Sequence, residues 1–136
     1  MTIPVTAFTA AVCALLLLLT AIDTVRHRIR SKTAFGDGGD ARLVSASRAH
    51  ANLAEHAPLV LIMMAALELA HANHKLLLGI GAAFLVARVA HIIGLYQPVS
   101  EKPPLPRSMG VMLTWAVIAV LGVWSALMLV NTNLGH

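Results

Sequence analysis

Four long apolar segments leave this chain few possible folds other than a helical membrane bundle. A helix needs about 20 mostly apolar residues to cross a bilayer, and such segments run over roughly residues 3–22, 53–73, 76–97 and 109–130. In a chain of 136 residues they leave no room for a second, soluble domain. The composition agrees, with 58% apolar and 12% charged residues and a mean hydropathy of +0.79. We therefore expect one all-α domain over residues 1–136, a bundle of four transmembrane helices.

The positive charges predict how the helices cross the membrane. Nearly all lie in the first and third connections, with Lys75 at the opposite end: Arg26, Arg28, Arg30, Lys32, Arg42 and Arg48, then Lys102 and Arg107. Because cytoplasmic loops are enriched in Lys and Arg, both basic loops are predicted to face the cytoplasm and both termini to lie outside. The first segment lacks a basic stretch before its apolar run, so we expect a retained helix and not a cleaved signal peptide.

The stretch SASRAHANLAEHAPLVL, residues 45–61, carries polar side chains into the second apolar segment. At about 100° per residue, Arg48, Asn52 and Glu55 fall within roughly 60° of one another on a helix, and His56 lies beside them. These side chains are therefore predicted to form one polar stripe along a helix face.

A second polar pair, Arg88 and His91, stands between apolar runs of the third segment. An ionised side chain at bilayer depth costs about 2.5–3.5 kcal/mol, so it usually faces a bundle interior or a wet cavity and has a partner. Glu55 is the natural partner of Arg88, and this ion pair would lock the second and third helices together. Arg48 is left without an acidic partner, and its planar guanidinium suits a carboxylate ligand. The polar stripe is therefore a structural lock, a ligand site, or both.

Two other functions are not expected. Glu68, His71 and His74 have a spacing similar to that of a metal site, but the sequence offers no fourth ligand, so we predict no metal. The basic run RHRIRSK suits a membrane surface with anionic lipids. It is too short to indicate a nucleic-acid partner.

The motifs RAHANLAEHAP at residues 48–58 and ARVAHIIGLYQP at residues 87–98 resemble those of the MAPEG family, the membrane-associated proteins of eicosanoid and glutathione metabolism. The resemblance extends over nearly the whole chain, and the GDGGD loop is similar to that of the family's small bacterial branch. It implies a homotrimer of four-helix subunits that holds glutathione between neighbouring subunits near the cytoplasmic face. It also implies a multi-pass protein of the bacterial inner membrane.

The resemblance implies roles for several residues of the second and third helices. Arg48, Asn52 and Glu55 match the family's glutathione-contacting positions on helix two. Arg88 matches the arginine of helix three. These residues are therefore expected to bind substrate.

Two further arginine positions follow from the resemblance. Arg28 matches the basic residue that closes helix one, although Arg26 or Arg30 takes its place after a small shift of the alignment. Arg107 is the candidate for the catalytic arginine that stabilises the thiolate.

His56, His91 and Tyr96 complete the expected substrate-binding set. The family's synthases carry a tyrosine where this chain has His56. They carry another directly after the helix-three glycine, where this chain has Leu95 and only then Tyr96.

These observations together predict an integral-membrane transferase or peroxidase for the detoxification of apolar electrophiles. Its co-substrate would be glutathione or another low-molecular-weight thiol, whose carboxylates suit arginines and whose amine suits Glu55. A nearby arginine would lower the pKa of the thiol and supply the attacking thiolate. The apolar substrate would arrive from the lipid.

The alternative is a non-catalytic lipid- or ligand-binding protein of the same fold. A small transporter or channel subunit is a third possibility. The sequence shows no internal repeat or broken helix that would support it.

Overall fold

A computed structural model describes residues 2–98 and 102–134, and these residues form four long helices. The helices are α1 (Pro4–Ser31), α2 (Ala41–Leu69), α3 (His74–Leu95) and α4 (Leu105–Leu134). The described part of the chain contains no strand. All four helices are long and apolar enough to cross a membrane. The prediction of an all-α, four-helix membrane bundle is thus confirmed.

The helix ends follow from local sequence. Asp40 precedes α2, and its carboxylate accepts a hydrogen bond of 2.9 Å from the backbone N–H of Arg42. Asn73 caps α3 in the same way, with 3.1 Å to the N–H of Leu76. Such caps satisfy backbone donors that have no partner within the helix. The glycine-rich connection reverses the chain between α1 and α2, with Gly38 at a φ of 56°, a conformation that favours glycine.

The bundle alternates in direction, and α2 and α3 are its central helices. α1 packs against α2 and α3, while α4 packs against α3 and α2. Buried apolar side chains from the helices fill the space between them, among them Leu53, Met64, Phe84 and Leu121. Many other large apolar side chains remain exposed along the outer faces. Such an outer surface suits the hydrocarbon of a bilayer, where it costs nothing to leave apolar atoms uncovered.

Glu68 joins the beginning of α1 to the end of α2. Its carboxylate accepts hydrogen bonds of 2.9 Å from the backbone N–H groups of Val5 and Thr6, and one of 2.7 Å from the Thr6 hydroxyl. A carboxylate is favourable at this place because helix N-termini carry unpaired N–H groups and a partial positive charge. Glu68 therefore has a structural role at the end of the bundle opposite the basic loops.

Helices α3 and α4 approach closely because two glycines lie at their interface. A Cβ atom added at Gly110 would lie 2.7 Å from the carbonyl oxygen of Ala87 and 2.7 Å from the Cβ of His91. An added Cβ at Gly94 would collide with the backbone of Arg107. The backbone of α4 therefore comes within hydrogen-bonding reach of side chains on α3.

The predicted orientation in the membrane can be checked by cysteine labelling in a Cys13→Ala background. Phe35, in the basic loop, is 93% exposed, and Ala70, at the opposite end, is also exposed. Because basic loops remain cytoplasmic, Ala70→Cys should react with an impermeant maleimide on intact cells. Phe35→Cys should react only after permeabilisation, and the reverse pattern would contradict this orientation. Phe35 is preferred to Gly38 of the same loop, because a Cβ atom at Gly38 would crowd Thr33.

Candidate functional site

A cavity of about 500 Å³ lies between α2, α3 and α4, near the end of the bundle where α3 finishes and α4 begins. It contains most of the residues predicted from the sequence to form the site. Its lining consists of Arg48, Asn52, His56, Arg88, His91, Leu95, Arg107, Val111, Thr114 and Trp115. The structure therefore brings the polar stripe of α2, the polar pair of α3 and the first turns of α4 around one space.

The lining is strongly positive. Arg48, Arg88 and Arg107 contribute a guanidinium group each, while no Asp or Glu is found among the described residues that line the cavity. Like charges repel strongly where solvent is limited. The cavity is therefore suited to a ligand that brings negative charge.

Arg88 is buried, with 2% of its surface exposed, and is held by α4. One terminal nitrogen donates a hydrogen bond of 3.1 Å to the carbonyl oxygen of Gly110 and another to the hydroxyl of Thr114. The Thr114 hydroxyl in turn donates to the same carbonyl over 2.8 Å. The guanidinium also lies 5.8 Å from the centre of the Phe84 ring. A buried charge needs such hydrogen bonds to be tolerated, and the buried Nε of Arg88 has no hydrogen-bond partner among the described residues.

The predicted ion pair between Glu55 and Arg88 is wrong. Glu55 is exposed and does not line the cavity, and no ion pair between Glu55 and Arg88 is found among the described residues. The close approach of α4 at Gly110 supplies Arg88 with a carbonyl oxygen instead of a carboxylate. Glu55 is thus placed on the outer surface of a single chain.

The two histidines of the cavity are each fixed by a backbone carbonyl group. The Nδ1 of His91 lies 3.2 Å from the carbonyl oxygen of Arg107, and the Nδ1 of His56 lies 2.7 Å from that of Asn52. A carbonyl oxygen only accepts, so Nδ1 carries the hydrogen in both rings. His91 is the deeper of the two, with 4% exposure, and its Nε2 has no described partner.

Arg28 lies outside this cavity. Its guanidinium donates hydrogen bonds of 3.2 Å to the carbonyl oxygen of Ala34 and 3.1 Å to that of Gly36, which orders the loop after α1. It shares with Arg48 a second, smaller cavity of about 350 Å³. Arg48 therefore lies between the two cavities, while Arg28 reaches only the outer one.

Tyr96 also lies outside the cavity, although the preceding Leu95 lines it. The Tyr96 hydroxyl donates a hydrogen bond to the carboxylate of Asp23 on α1. Partial burial, and then this hydrogen bond to a carboxylate, raise the pKa of Tyr96 above its ordinary value. The hydroxyl of Tyr96 thus ties the end of α3 to α1.

The sequence reasoning identified Arg107 but missed the other residues of α4 that line the cavity. Val111 and Thr114 follow Arg107 at intervals of four and three residues, the spacing of one helix face, and Trp115 lies at the edge of that face. Thr114 is the informative member, because a hydroxyl inside an apolar run needs a hydrogen-bond partner. The helical spacing of these residues from Arg107 is the sequence signal that identifies them as part of the cavity wall.

Comparison with known proteins places the chain in a class. It is a multi-pass membrane protein with an arginine-lined cavity between its helices, and its sequence matches the MAPEG family over residues 6–127. The chain belongs to the MAPEG family. It is 31% identical over 117 residues to the inner membrane protein YecN of Escherichia coli K12, a stretch that covers 86% of each protein. YecN of Escherichia coli O6:H1 has the same identity and coverage.

These findings confirm two predictions, the family and a multi-pass protein of the bacterial inner membrane. Family membership also supports a membrane function of the glutathione transferase type or one related to it.

The anchoring of Arg88 by α4 gives a test of stability. Thr114→Val keeps the size of the side chain but removes a hydroxyl that accepts from Arg88, so it should lower the free energy of unfolding by about 1–3 kcal/mol. Thr114→Ser keeps the hydroxyl and should lose less. Thermal unfolding in detergent measures both. Equal losses would show that the hydroxyl does not support Arg88. Glu55→Gln serves as a control and should leave the free energy of unfolding unchanged, because Glu55 does not pair with Arg88.

Proposed function

We propose that the protein is an integral-membrane transferase or peroxidase that uses glutathione, or another low-molecular-weight thiol, against apolar electrophiles. The observation that carries this proposal is the cavity lined by Arg48, Arg88 and Arg107 without a carboxylate among its described residues. Membership of the MAPEG family supports it. The reaction would take place in the inner membrane, near the end of the bundle that carries the basic loops.

The charge of the cavity matches the charge of the co-substrate. Glutathione has two carboxylates, and arginine binds a carboxylate through two parallel hydrogen bonds. Arg48 is the best placed of the three arginines for this contact, because it is exposed and its side chain has no hydrogen bond or ion pair among the described residues. Arg88 adds its positive charge to the same wall. Asn52, half-buried in the same wall, offers an amide for the peptide groups of the ligand.

The thiol would be activated by positive charge. A thiol close to an arginine loses its proton more easily, because the guanidinium stabilises the thiolate. Arg107 is our candidate for this role, since it lines the cavity at the beginning of α4 and its carbonyl group is fixed by His91. The thiolate would then attack the electrophile directly, so that no nucleophile of the protein is required.

The apolar substrate would enter from the bilayer beside α4. Trp115 lines the cavity and is 63% exposed, so this side chain borders both the cavity and the outer surface of the bundle. Leu95 and Val111 add hydrocarbon to the same wall. An electrophile dissolved in lipid could thus reach a thiolate held among arginines without passing through water.

The amine of glutathione requires a carboxylate that the cavity of one chain lacks. Glu55 is exposed on α2 and does not line this cavity. We therefore propose a homotrimer in which the ligand lies at the boundary between subunits, with Glu55 receiving the amine and Arg28 near the outer carboxylate. This assembly is also the one that the family resemblance implies.

A non-catalytic ligand-binding protein is the second candidate. The observation that favours it is Leu95, which lines the cavity with hydrocarbon where the family's synthases have a tyrosine. A protein of this kind would bind the thiol or a lipid in the same cavity without turnover. Measurements of binding and of conjugation on the same preparation separate the two candidates.

Arg48 gives the direct test of the ligand site. Arg48→Ala should weaken glutathione binding by about 1.5–3 kcal/mol, the contribution of a hydrogen bond to a charged group, while the melting temperature changes little because the residue is exposed. Arg42→Ala, an exposed arginine of the same helix outside the cavity, is the matched control. Calorimetry in detergent measures affinity, and conjugation of an aryl halide measures activity. Unchanged affinity in Arg48→Ala would remove Arg48 from the site.

The proposed assembly has its own test. Native mass spectrometry of the detergent-solubilised protein should give the mass of three chains, because the carboxylate that the ligand needs lies outside the cavity of one chain. A species that remains monomeric at high protein concentration would contradict a site between subunits.

A further inference from the structure

Two adjoining apolar grooves run along the exposed face of α3 and α4, outside the arginine-lined cavity. Their volumes are about 610 and 470 Å³, and neither shares a lining residue with that cavity. Leu76, Ile80 and Val120 line both grooves, so these side chains form the ridge between them. Water finds few hydrogen-bond partners in such a lining. In a bilayer the grooves are therefore filled by hydrocarbon, either lipid chains or the side chains of another protein.

A lysine marks one end of the smaller groove. Lys75 is the second residue of α3, and every other described residue that lines this groove is apolar. Because α3 has 22 residues, it is about 33 Å long and matches the hydrocarbon thickness of a bilayer. Lys75 therefore lies at the level of the lipid headgroups. From there the groove extends along α3 to Ala83, about 12 Å deeper, which is most of one leaflet.

The protein does not neutralise the charge of Lys75. Its ammonium group has no hydrogen bond or ion pair among the described residues. Glu68 is the only Asp or Glu at this end of the bundle in the described part of the chain, and its carboxylate accepts hydrogen bonds from Val5 and Thr6. The grooves thus combine one unpaired positive charge at headgroup level with a long apolar surface beneath it.

We propose that these grooves bind one diacyl phospholipid of the leaflet opposite the basic loops, with its phosphate at Lys75 and one acyl chain on each side of the ridge. Charged oxygens of a phosphate accept strong hydrogen bonds from an ammonium group. An anionic phospholipid such as phosphatidylglycerol fits best, because its headgroup has no amine that offsets the phosphate. Lipid chains gain nothing by leaving water inside a bilayer, so packing in the grooves and the charge of Lys75 provide the preference.

A second copy of this chain fits the grooves less well. Copies in one membrane share their orientation, so equal ends of the bundle meet. A copy that covered the grooves would bury Lys75 without offering a carboxylate, since Glu68 is already engaged with α1. An unpaired charge is costly to bury. A phospholipid brings the negative charge that a second copy lacks.

Gly79 keeps the smaller groove open. A Cβ atom added there would have no packing neighbour within 4 Å, so a larger side chain enters the groove and leaves the core of the bundle undisturbed. Gly79→Leu would therefore occupy the space of an acyl chain while α3 keeps its contacts with α4. Gly122 of α4 offers a matched control, because it is exposed, equally open and outside both grooves.

The fluorescence of Trp124, which lines the larger groove, tests the proposal in a bilayer. Trp115→Phe leaves Trp124 as the only tryptophan of the chain. This protein is placed in phosphatidylcholine vesicles with brominated phosphatidylglycerol or brominated phosphatidylcholine as the quencher. The anionic lipid should quench Trp124 with about fivefold higher affinity, the effect of one lysine near an anionic lipid. Equal quenching by the two lipids would overturn the proposal, because Trp124 would then contact bulk lipid only.

Substitutions in the same background give the second test. Lys75→Gln should abolish the preference for phosphatidylglycerol, and Lys75→Arg should keep it. Gly79→Leu should also abolish the preference, whereas Gly122→Leu should leave it unchanged. A preference that survives Lys75→Gln or Gly79→Leu in a folded protein would contradict a site in these grooves.

Further controls separate this site from general attraction and from a subunit interface. Arg42→Gln removes an exposed charge at the other end of the bundle and should keep the preference, and an equal loss there would show general attraction of anionic lipid instead of a site. Quenching by neither lipid would overturn the proposal, because protein would then cover the grooves. Native mass spectrometry of Gly79→Leu should give the same number of chains as the wild type, and a changed number would assign the grooves to an interface between copies. None of these measurements uses glutathione, so their outcome is independent of the proposed thiol chemistry.

Discussion

The hydrogen bonds from Arg88 to Gly110 and Thr114 are the interaction on which the rest of the site depends. A guanidinium is too costly to bury among apolar helices unless its donors are paired. Here the pairing is made by a backbone carbonyl and a hydroxyl, which carry no full charge. The positive charge of Arg88 is therefore held in place but not neutralised, and it remains available to attract an anion into the cavity.

The same close approach of α3 and α4 organises the second half of the site. Gly110 and Gly94 allow the backbone of α4 to lie against α3, and this places the carbonyl group of Arg107 beside the ring of His91. The glycines thus determine both which nitrogen of His91 carries a hydrogen and where α4 directs its side chains. A side chain larger than hydrogen at Gly110 would disturb the imidazole and the guanidinium together, because both depend on the position of one stretch of backbone.

The sequence predicted the helices and most of the cavity because hydropathy and helical periodicity are local properties. The 100° rule placed Arg48, Asn52 and His56 on one face, and these residues do line one wall. Glu55 lies on the same face by this spacing but outside the cavity of a single chain, since periodicity gives the face of a helix but not which edge of that face meets a neighbour. Periodicity also could not predict the partner of Arg88, because that partner is the backbone carbonyl group of Gly110 and every residue type has a backbone carbonyl group.

Three arginines in one cavity differ in how firmly they are held, and the difference suggests how the charge is used. Arg88 is fixed by α4, while Arg48 is exposed at the edge of two cavities. A fixed charge stabilises a developing anion without reorganisation, and an exposed charge is accessible to a ligand that arrives from solution. Mutual repulsion of the three guanidinium groups opposes folding, and an anionic ligand would relieve this repulsion. A ligand that binds only the folded state also stabilises that state by mass action. An anionic ligand of the proposed kind would thus couple the occupancy of the cavity to the stability of the fold through electrostatics.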